Sequence, residues 1–383
     1  MAAARLSIVA VLIERVEVRL LSLPMREPFG TAHGTVRQRE IAVLRVETDE
    51  GHGWGECAAL TDATYSDEYA AGAFDIVAGT VLPRLVGQRC DAAGALRLLA
   101  DVPGHPMAKA AVEMALLDVA LRSSGRSLAS WLADDDPGGA GPAASVPAGA
   151  VVGLGSPADV ADRVAALAAE GFGRVKIKIM PGHDREVVTA VTARCPGLAL
   201  HADANGSYHA TDLALLASLG DDGLGALEQP FPPARPGWAA ELVAATAGSG
   251  LMVVADEAAV DLVAVQELHR RRALRGVVVK PSRLVGLAAA RELHGWCRGA
   301  GLALTAGGMV ETGLGRHGLA ALASLPGFTV TGDVSPARRW LTADPWPDLV
   351  LAGGHIEVPS GPGVAPDPDP DVLAHYTVRR AEL

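Results

Sequence analysis

Hydrophobic and polar residues alternate with a period of two through Arg174-Val175-Lys176-Ile177-Lys178-Ile179. That is the pattern of a strand, whose successive side chains point to opposite faces. One face is apolar and β-branched, and the other carries Lys176 and Lys178. Alone, the segment reads equally well as an edge strand with solvated lysines; its place in the chain changes that reading. Upstream, Val16, Val18 and Leu20 alternate with charged residues, and Ile41 and Val43 lead into 44–46. Asp49-Glu50-Gly51-His52-Gly53 supplies turn chemistry before Trp54-Gly55-Glu56-Cys57, so residues 14–60 read as antiparallel strands. Residues 28–34 are expected to form a glycine-bearing loop. Ser66 is expected to cap a helix running toward Ala78, and residues 107–122 have helical spacing of Ala, Leu and Met.

The Gly/Pro/Asp-rich stretch 134–143 reads as a linker. Beyond it the character changes. Short apolar runs at 146–153, 174–179, 198–203, 224–228, 251–256, 276–280, 301–306 and 328–332 alternate with alanine-rich helical segments. This is the βα pattern of a parallel sheet. Polar residues end the runs at Lys178, Asp203, Glu228, Asp256, Lys280 and Thr305. They are spaced roughly 25 residues apart, one strand-plus-helix unit each, which fits a closed barrel better than an open doubly wound sheet. No G-x-G-x-x-G follows the first strand, against a dinucleotide-binding fold. The tail from about 345 is expected to wrap back over the N-terminal domain.

Composition narrows the function classes. The 383 residues are 49% hydrophobic and 20% charged, as in a globular chain with ample core. A formal net charge of -11 without a basic run argues against a nucleic-acid surface. Cys57, Cys90, Cys195 and Cys297 are scattered, with no C-x-x-C pair, which fits a reducing, cytoplasmic setting. Residues 6–13 imitate the apolar core of a signal peptide, but Glu14 and Arg15 follow at once. They read as an extension leading into the first strand. No apolar run approaches membrane-spanning length.

In a barrel, residues at the C-terminal ends of strands converge on one mouth. Parity places His201, Asp203 and Asn205 on one face of their run, and Met252, Val254 and Asp256 on one face of theirs. Any one carboxylate here could be an ordinary helix cap, but three at matching strand ends point inward together. Asp203, Glu228 and Asp256 would repel one another unless a cation sat among them. All-oxygen ligands favour a hard divalent ion, Mg²⁺ or Mn²⁺. Glu257 has the opposite parity to Asp256 and is left out of this set. Strands two and six of eight lie diametrically opposite, so Lys178 and Lys280 would flank a substrate held between them. That suits removal of a proton next to a carboxylate in a small-molecule substrate. Lys176 would depress the pKa of Lys178 by like-charge repulsion.

These residues sit in motifs that together resemble a known family. The motifs are GHPMAKAAVEMALLD (104–118), VKIKI with PGHD (181–184), DAN (203–205), EQP (228–230), DE (256–257), VKP (279–281), GGMVETGLGR (307–316), ALASLPGFT (321–329) and GGHIEVPSGPG (353–363). Nearly the whole chain resembles the enolase superfamily, in its muconate-lactonizing subgroup. Within that subgroup it is similar to the o-succinylbenzoate synthase / N-succinylamino acid racemase family. The resemblance implies a (β/α)7β-type modified TIM barrel with an N-terminal α+β capping domain completed by the C-terminal tail. The expected boundaries are 1–133 for the cap, 134–143 for the linker, 144–345 for the barrel and 346–383 for the returning segment.

It implies Lys178 and Lys280 as acid/base residues on opposite faces, Lys176 as the supporting lysine, and Asp203, Glu228 and Asp256 as Mg²⁺ ligands. Phe29 and Tyr65 look like lid residues, Met309 like a substrate contact at the seventh strand, and Asn205 like polar support. The implied activity is o-succinylbenzoate synthesis for menaquinone, with N-succinyl or N-acyl amino acid racemisation beside it. The alternatives are another cycloisomerase, racemase or epimerase with a changed pocket and, in a different class, a catalytically inactive binding protein. Such barrels often assemble, so a homo-oligomer is expected. Two departures stand out. The family's Pro-Gly-Arg-Val-Gly-Gly after the second lysine is here Pro281-Ser282-Arg283-Leu284-Val285-Gly286. Gly332-Asp333-Val334-Ser335-Pro336 lacks the D-x-D of the related dipeptide epimerases.

Overall fold

Alternating burial builds the first sheet. In the computed structural model, which describes residues 10–32, 34–134 and 141–383, β1 (Val11–Thr31), β2 (Gly34–Thr48) and β3 (Gly51–Cys57) form an antiparallel meander. A short β4 (Arg89–Cys90) also pairs with β1. Val16, Val18, Leu20, Ala42, Leu44 and Val46 pack against Ala108, Ala111, Val112 and Ala115 of the helix Pro106–Ser123. Leu21, Leu23, Ile41 and Val43 belong instead to a core shared with Val277 and Leu304 of the second sheet. The period of two thus splits the sheet between two partners, a helical layer and a barrel.

Two expectations for this half are corrected. The described part of 28–34 is not a free loop, because Phe29, Gly30 and Thr31 pair with Val36, Thr35 and Gly34 as the end of a long hairpin. The helix after Ser66 begins at Ala70 with Tyr69 as its N-cap. The Ser66 hydroxyl donates to the Glu68 carbonyl. The Glu68 carboxylate accepts the amides of Met107 and Ala108, so it caps the following long helix.

Part of the expected first barrel strand is spent elsewhere. β5 (Ser145–Pro147) leaves the barrel, and β6 (Gly149–Val152) begins it. Then follow β7 (Arg174–Lys178), β8 (Ala199–Asp203), β9 (Ala226–Glu228), β10 (Met252–Ala255), β11 (Gly276–Val279) and β12 (Ala303–Ala306). These seven strands are parallel and adjacent in chain order, with helices between them as the βα pattern requires. The eighth run, 328–332, makes no ladder. It is an irregular connection that still closes the curl: Val330 N–H donates to Leu304 O, Asp333 N–H to Ala306 O, and Gly149 N–H to Val334 O. Beyond it, β13 (Leu351–Ala352) and β14 (His355–Glu357) pair with β5. Finally β15 (Thr377–Glu382) pairs antiparallel with β1 and completes the cap. The N-terminal extension up to residue 9 and residues 135–140 of the linker lie outside the described residues. No described helix is long and apolar enough to cross a membrane.

Candidate active site

Register decides what the strand ends bring together. Lys178 is the ladder partner of Asp203, and Asp203 of Glu228, so three adjacent strands deliver three charges in one row. Val254 is the partner of Glu228, and Asp256 stands two residues further along the same inward parity. Below the row, Ala226, Met252, Val254 and Val278 plug the barrel with apolar contacts. Carboxylate oxygens of Asp203, Glu228 and Asp256 lie within 4.8 Å of one another, and all three residues are buried.

Each carboxylate is held by a different cation. Lys178 Nζ donates to Asp203 at 2.6 Å and to Asn205 Oδ1 at 2.7 Å. Lys176 Nζ sits between Glu228, at 2.9 Å, and Asp333, at 2.8 Å. Lys280 Nζ donates to Asp256 at 2.6 Å and to the Tyr65 hydroxyl at 3.1 Å. Gly307 makes room for this lysine, since a Cβ there would lie 2.8 Å from Lys280 Cε.

Burial and charge pull against each other here. Burial alone would raise Asp256, but Lys280 and Arg283 outweigh it and hold the carboxyl well below its usual range. Burial would lower Lys176, yet Asp333, Glu228 and Asp203 carry it above the ordinary lysine value. Glu228 goes the other way. Burial pushes it well up, and Asp203, Asp256 and Asp333 add to the push against the pull of Lys176. A carboxylate forced toward its neutral form among others is what a cation would relieve. The residues therefore fit a hard divalent ion in donor type, number and charge.

The structure brings six of the expected residues to one cavity. A 290 Å³ cavity is lined by Phe29, Tyr65, Lys178, Asn205, Lys280 and Met309 together. The two lysines reach it from β7 and from just past β11, on opposite sides of the curled sheet. Lys176 is itself held between two carboxylates. Its charge is matched there by Glu228 and Asp333.

Three residues were missed. Asp333 pairs with Lys176 and, at 2.6 Å, with Arg174. One more step of the strand-end spacing beyond Thr305 would have found it. Arg283 Nη1 reaches both Asp256 and the Tyr65 hydroxyl at 2.5 Å. It lies on the loop after β11, where no periodicity points to it. Glu257, set aside by parity, accepts from Asn205 Nδ2 at 2.8 Å; burial, then Asp256 and Asp203, raise its carboxyl to about 7. Backbone strain gathers at the same rim, with positive φ at Asn205 (44°), Gln229 (40°) and Val310 (57°).

Comparison with known proteins names the architecture. Residues 159–372 match the enolase C-terminal domain-like family, and residues 15–132 match the mandelate racemase / muconate lactonizing enzyme N-terminal domain. An N-succinylamino acid racemase from Amycolatopsis sp. is 38% identical over 95% of this chain and 97% of its own. The chain belongs to the enolase superfamily, in the o-succinylbenzoate synthase / N-succinylamino acid racemase family.

An o-succinylbenzoate synthase from Bacillus subtilis (strain 168) is 32% identical over 96% of this chain and 97% of its own. Among solved structures, an enolase-superfamily protein from Listeria innocua superposes with a TM-score of 0.89 at 29% identity. That likeness covers 97% of this chain and 99% of the other. The protein is thus an enolase-superfamily enzyme. Its buried carboxylate triad could hold a divalent metal, which members of the superfamily use.

Proposed function

We propose that this enzyme removes a proton from the carbon next to a substrate carboxylate, with Lys178 as the base. Asp203, Glu228 and Asp256 would hold Mg²⁺, or Mn²⁺ in its place. The observation that carries this reading is the pair Lys178 and Lys280 lining one cavity, each ion-paired to a different member of the triad. Bound there, the ion would supply positive charge against the enediolate that develops. Lys178 must be neutral to accept the proton, and Asn205 positions its Nζ by the 2.7 Å bond. Lys280, approaching from the other side, is placed to donate to the developing negative charge. Lys176 holds Glu228 in place. Phe29 and Tyr65, reaching over from the cap, would exclude water from the reacting carbon.

The specific reaction we assign is syn dehydration to o-succinylbenzoate, a step of menaquinone biosynthesis in the cytoplasm. In it Lys178 alone exchanges a proton. Racemisation of N-succinyl or N-acyl amino acids is the second reading, favoured by the name of the 38% identical relative. It needs both lysines to exchange protons. The test offers dehydration and N-succinyl amino acid substrates to wild type, with and without EDTA, and follows solvent deuterium at the α-carbon. Lys280→Ala should abolish exchange from one face while exchange through Lys178 persists. Robust dehydration with no exchange on any N-succinyl amino acid would remove the racemase reading. Failure of both reactions in wild type would overturn the whole assignment.

A further inference from the structure

A second cavity is larger than the one between the two lysines. A space of 430 Å³ lies behind the hairpin tip, with Arg26, Glu27, Phe29, Arg163, Glu170, Arg338, Arg339 and Trp340 around it. Phe29 lines both cavities. In a chain of net charge -11, four guanidinium groups around one space stand out.

Their charges are only partly matched. Arg338 pairs with Asp348 at 2.8 Å, and Arg163 lies 4.0 Å from Glu27. Arg26 donates to a backbone carbonyl, that of Arg338. Arg339 donates to Val151 O at 3.2 Å and otherwise stacks on Phe172 and Trp340. Among the described residues neither Arg26 nor Arg339 has a carboxylate within ion-pair distance. Two buried donors on cavity-lining residues also lack a hydrogen-bond partner, Arg339 Nε and Trp340 Nε1. Burial, with Arg316 nearby, lowers the Arg339 guanidinium to about 10 even with Glu170 and Glu27 pulling the other way. Native structures rarely leave a buried donor without an acceptor, and both of these donors belong to residues that line an arginine-rich space.

We propose that this cavity is a binding site for a small oxyanion, a carboxylate or a tetrahedral oxyanion, held by Arg339 and Arg26 and separate from the catalytic centre. A guanidinium fork meets either anion with two parallel N–H donors. Arg163, at the outer wall, adds charge. The proposal does not depend on which reaction the catalytic cavity performs.

Titration calorimetry of the full chain with sodium sulfate and, separately, with sodium succinate tests it at constant ionic strength. Wild type should take up one equivalent of at least one probe saturably. A preference for sulfate would assign the tetrahedral oxyanion, and a preference for succinate the carboxylate. Arg339→Met should weaken that binding about tenfold, the loss of a charge-assisted pair of hydrogen bonds. Because Arg339 is packed between rings, the exposed pair Arg26→Ala with Arg163→Ala is a second variant and should weaken binding severalfold. Lys178→Ala with Lys280→Ala, which empties the catalytic cavity of its lysines, should leave it unchanged. The proposal is overturned by no saturable binding of either probe. It is equally overturned by binding that survives both arginine variants, or by binding lost with the two lysines.

Discussion

Lys176 and Asp333 meet at 2.8 Å although they come from β7 and from the irregular connection after β12. Asp333 also binds Arg174, so one carboxylate ties two rungs of the lysine strand to the seam where the barrel closes. Removing one partner of a buried pair leaves the other charge stranded. Asp333→Asn is therefore expected to destabilise the fold by about 3–5 kcal/mol, read from urea midpoints at pH 7. The dependence on pH has a definite sign. Burial would raise Asp333, but Lys176 and Arg174 hold its carboxyl far below the usual value. Its contribution is full above the unfolded aspartate value of about 4 and is lost as pH falls toward the depressed folded value. An unchanged midpoint in Asp333→Asn would show that the pair adds nothing.

The carboxylate triad predicts a metal effect separate from catalysis. Asp203→Asn removes a candidate ligand while its amide can still accept from Lys178. Affinity for Mg²⁺, measured by calorimetry, is expected to fall about tenfold or more, by loss of one ionic interaction. Equal affinity in the variant would place the ion elsewhere.

The departure at Val285 has a conformational consequence. This valine sits at φ 66°, a left-handed conformation in which a β-branched side chain is strained. Val285→Gly should stabilise the protein by about 1 kcal/mol net of the extra freedom glycine gives the unfolded chain. The neighbouring position behaves oppositely. Gly286 has φ 134°, and a Cβ there would lie 2.7 Å from the Glu113 carboxyl. Gly286→Ala should therefore lower the melting temperature while Val285→Gly raises it. A fall in both variants would contradict the strain argument.

Glu113 reaches from the cap to the barrel, where its carboxyl accepts the amides of Leu287 and Ala288 at 3.1 and 2.9 Å. Burial raises this carboxyl to about 7, against the help of those two amides. A raised carboxyl binds its proton more tightly in the folded state. Its stabilising share is thus present below the unfolded glutamate value of about 4.3 and is lost as pH rises through 7. The loss is on the order of 3 kcal/mol. Glu113→Gln is expected to flatten the decline in melting temperature between pH 5 and 7.5. Part of the slope should remain, because burial raises Glu56 to about 8 at the neighbouring helix start, Thr312. An identical slope in wild type and Glu113→Gln would refute the assignment.

The linear pattern was enough to set out the period-two strands, the βα repeat and the spacing of strand ends. Those features determined the fold class and the inward parity of Lys176, Lys178, Asp203, Glu228, Asp256 and Lys280, because side-chain direction in a strand follows from position alone. Local chemistry that depends on a distant partner was not legible. Ser66 has the composition of a cap, but Glu68 does the capping, at a helix almost forty residues on. Residues 328–332 have a strand's composition but close the barrel without a ladder. Asp333, Arg283 and Glu257 gain their partners only when the barrel curls, since a loop residue has no periodicity to announce where it points. The same holds for the arginine-lined cavity, whose walls come from the hairpin, the helix Pro157–Ala169 and the segment after the barrel seam. Charge pairing is a property of three-dimensional distance, and tertiary structure alone decides which carboxylate each cation meets.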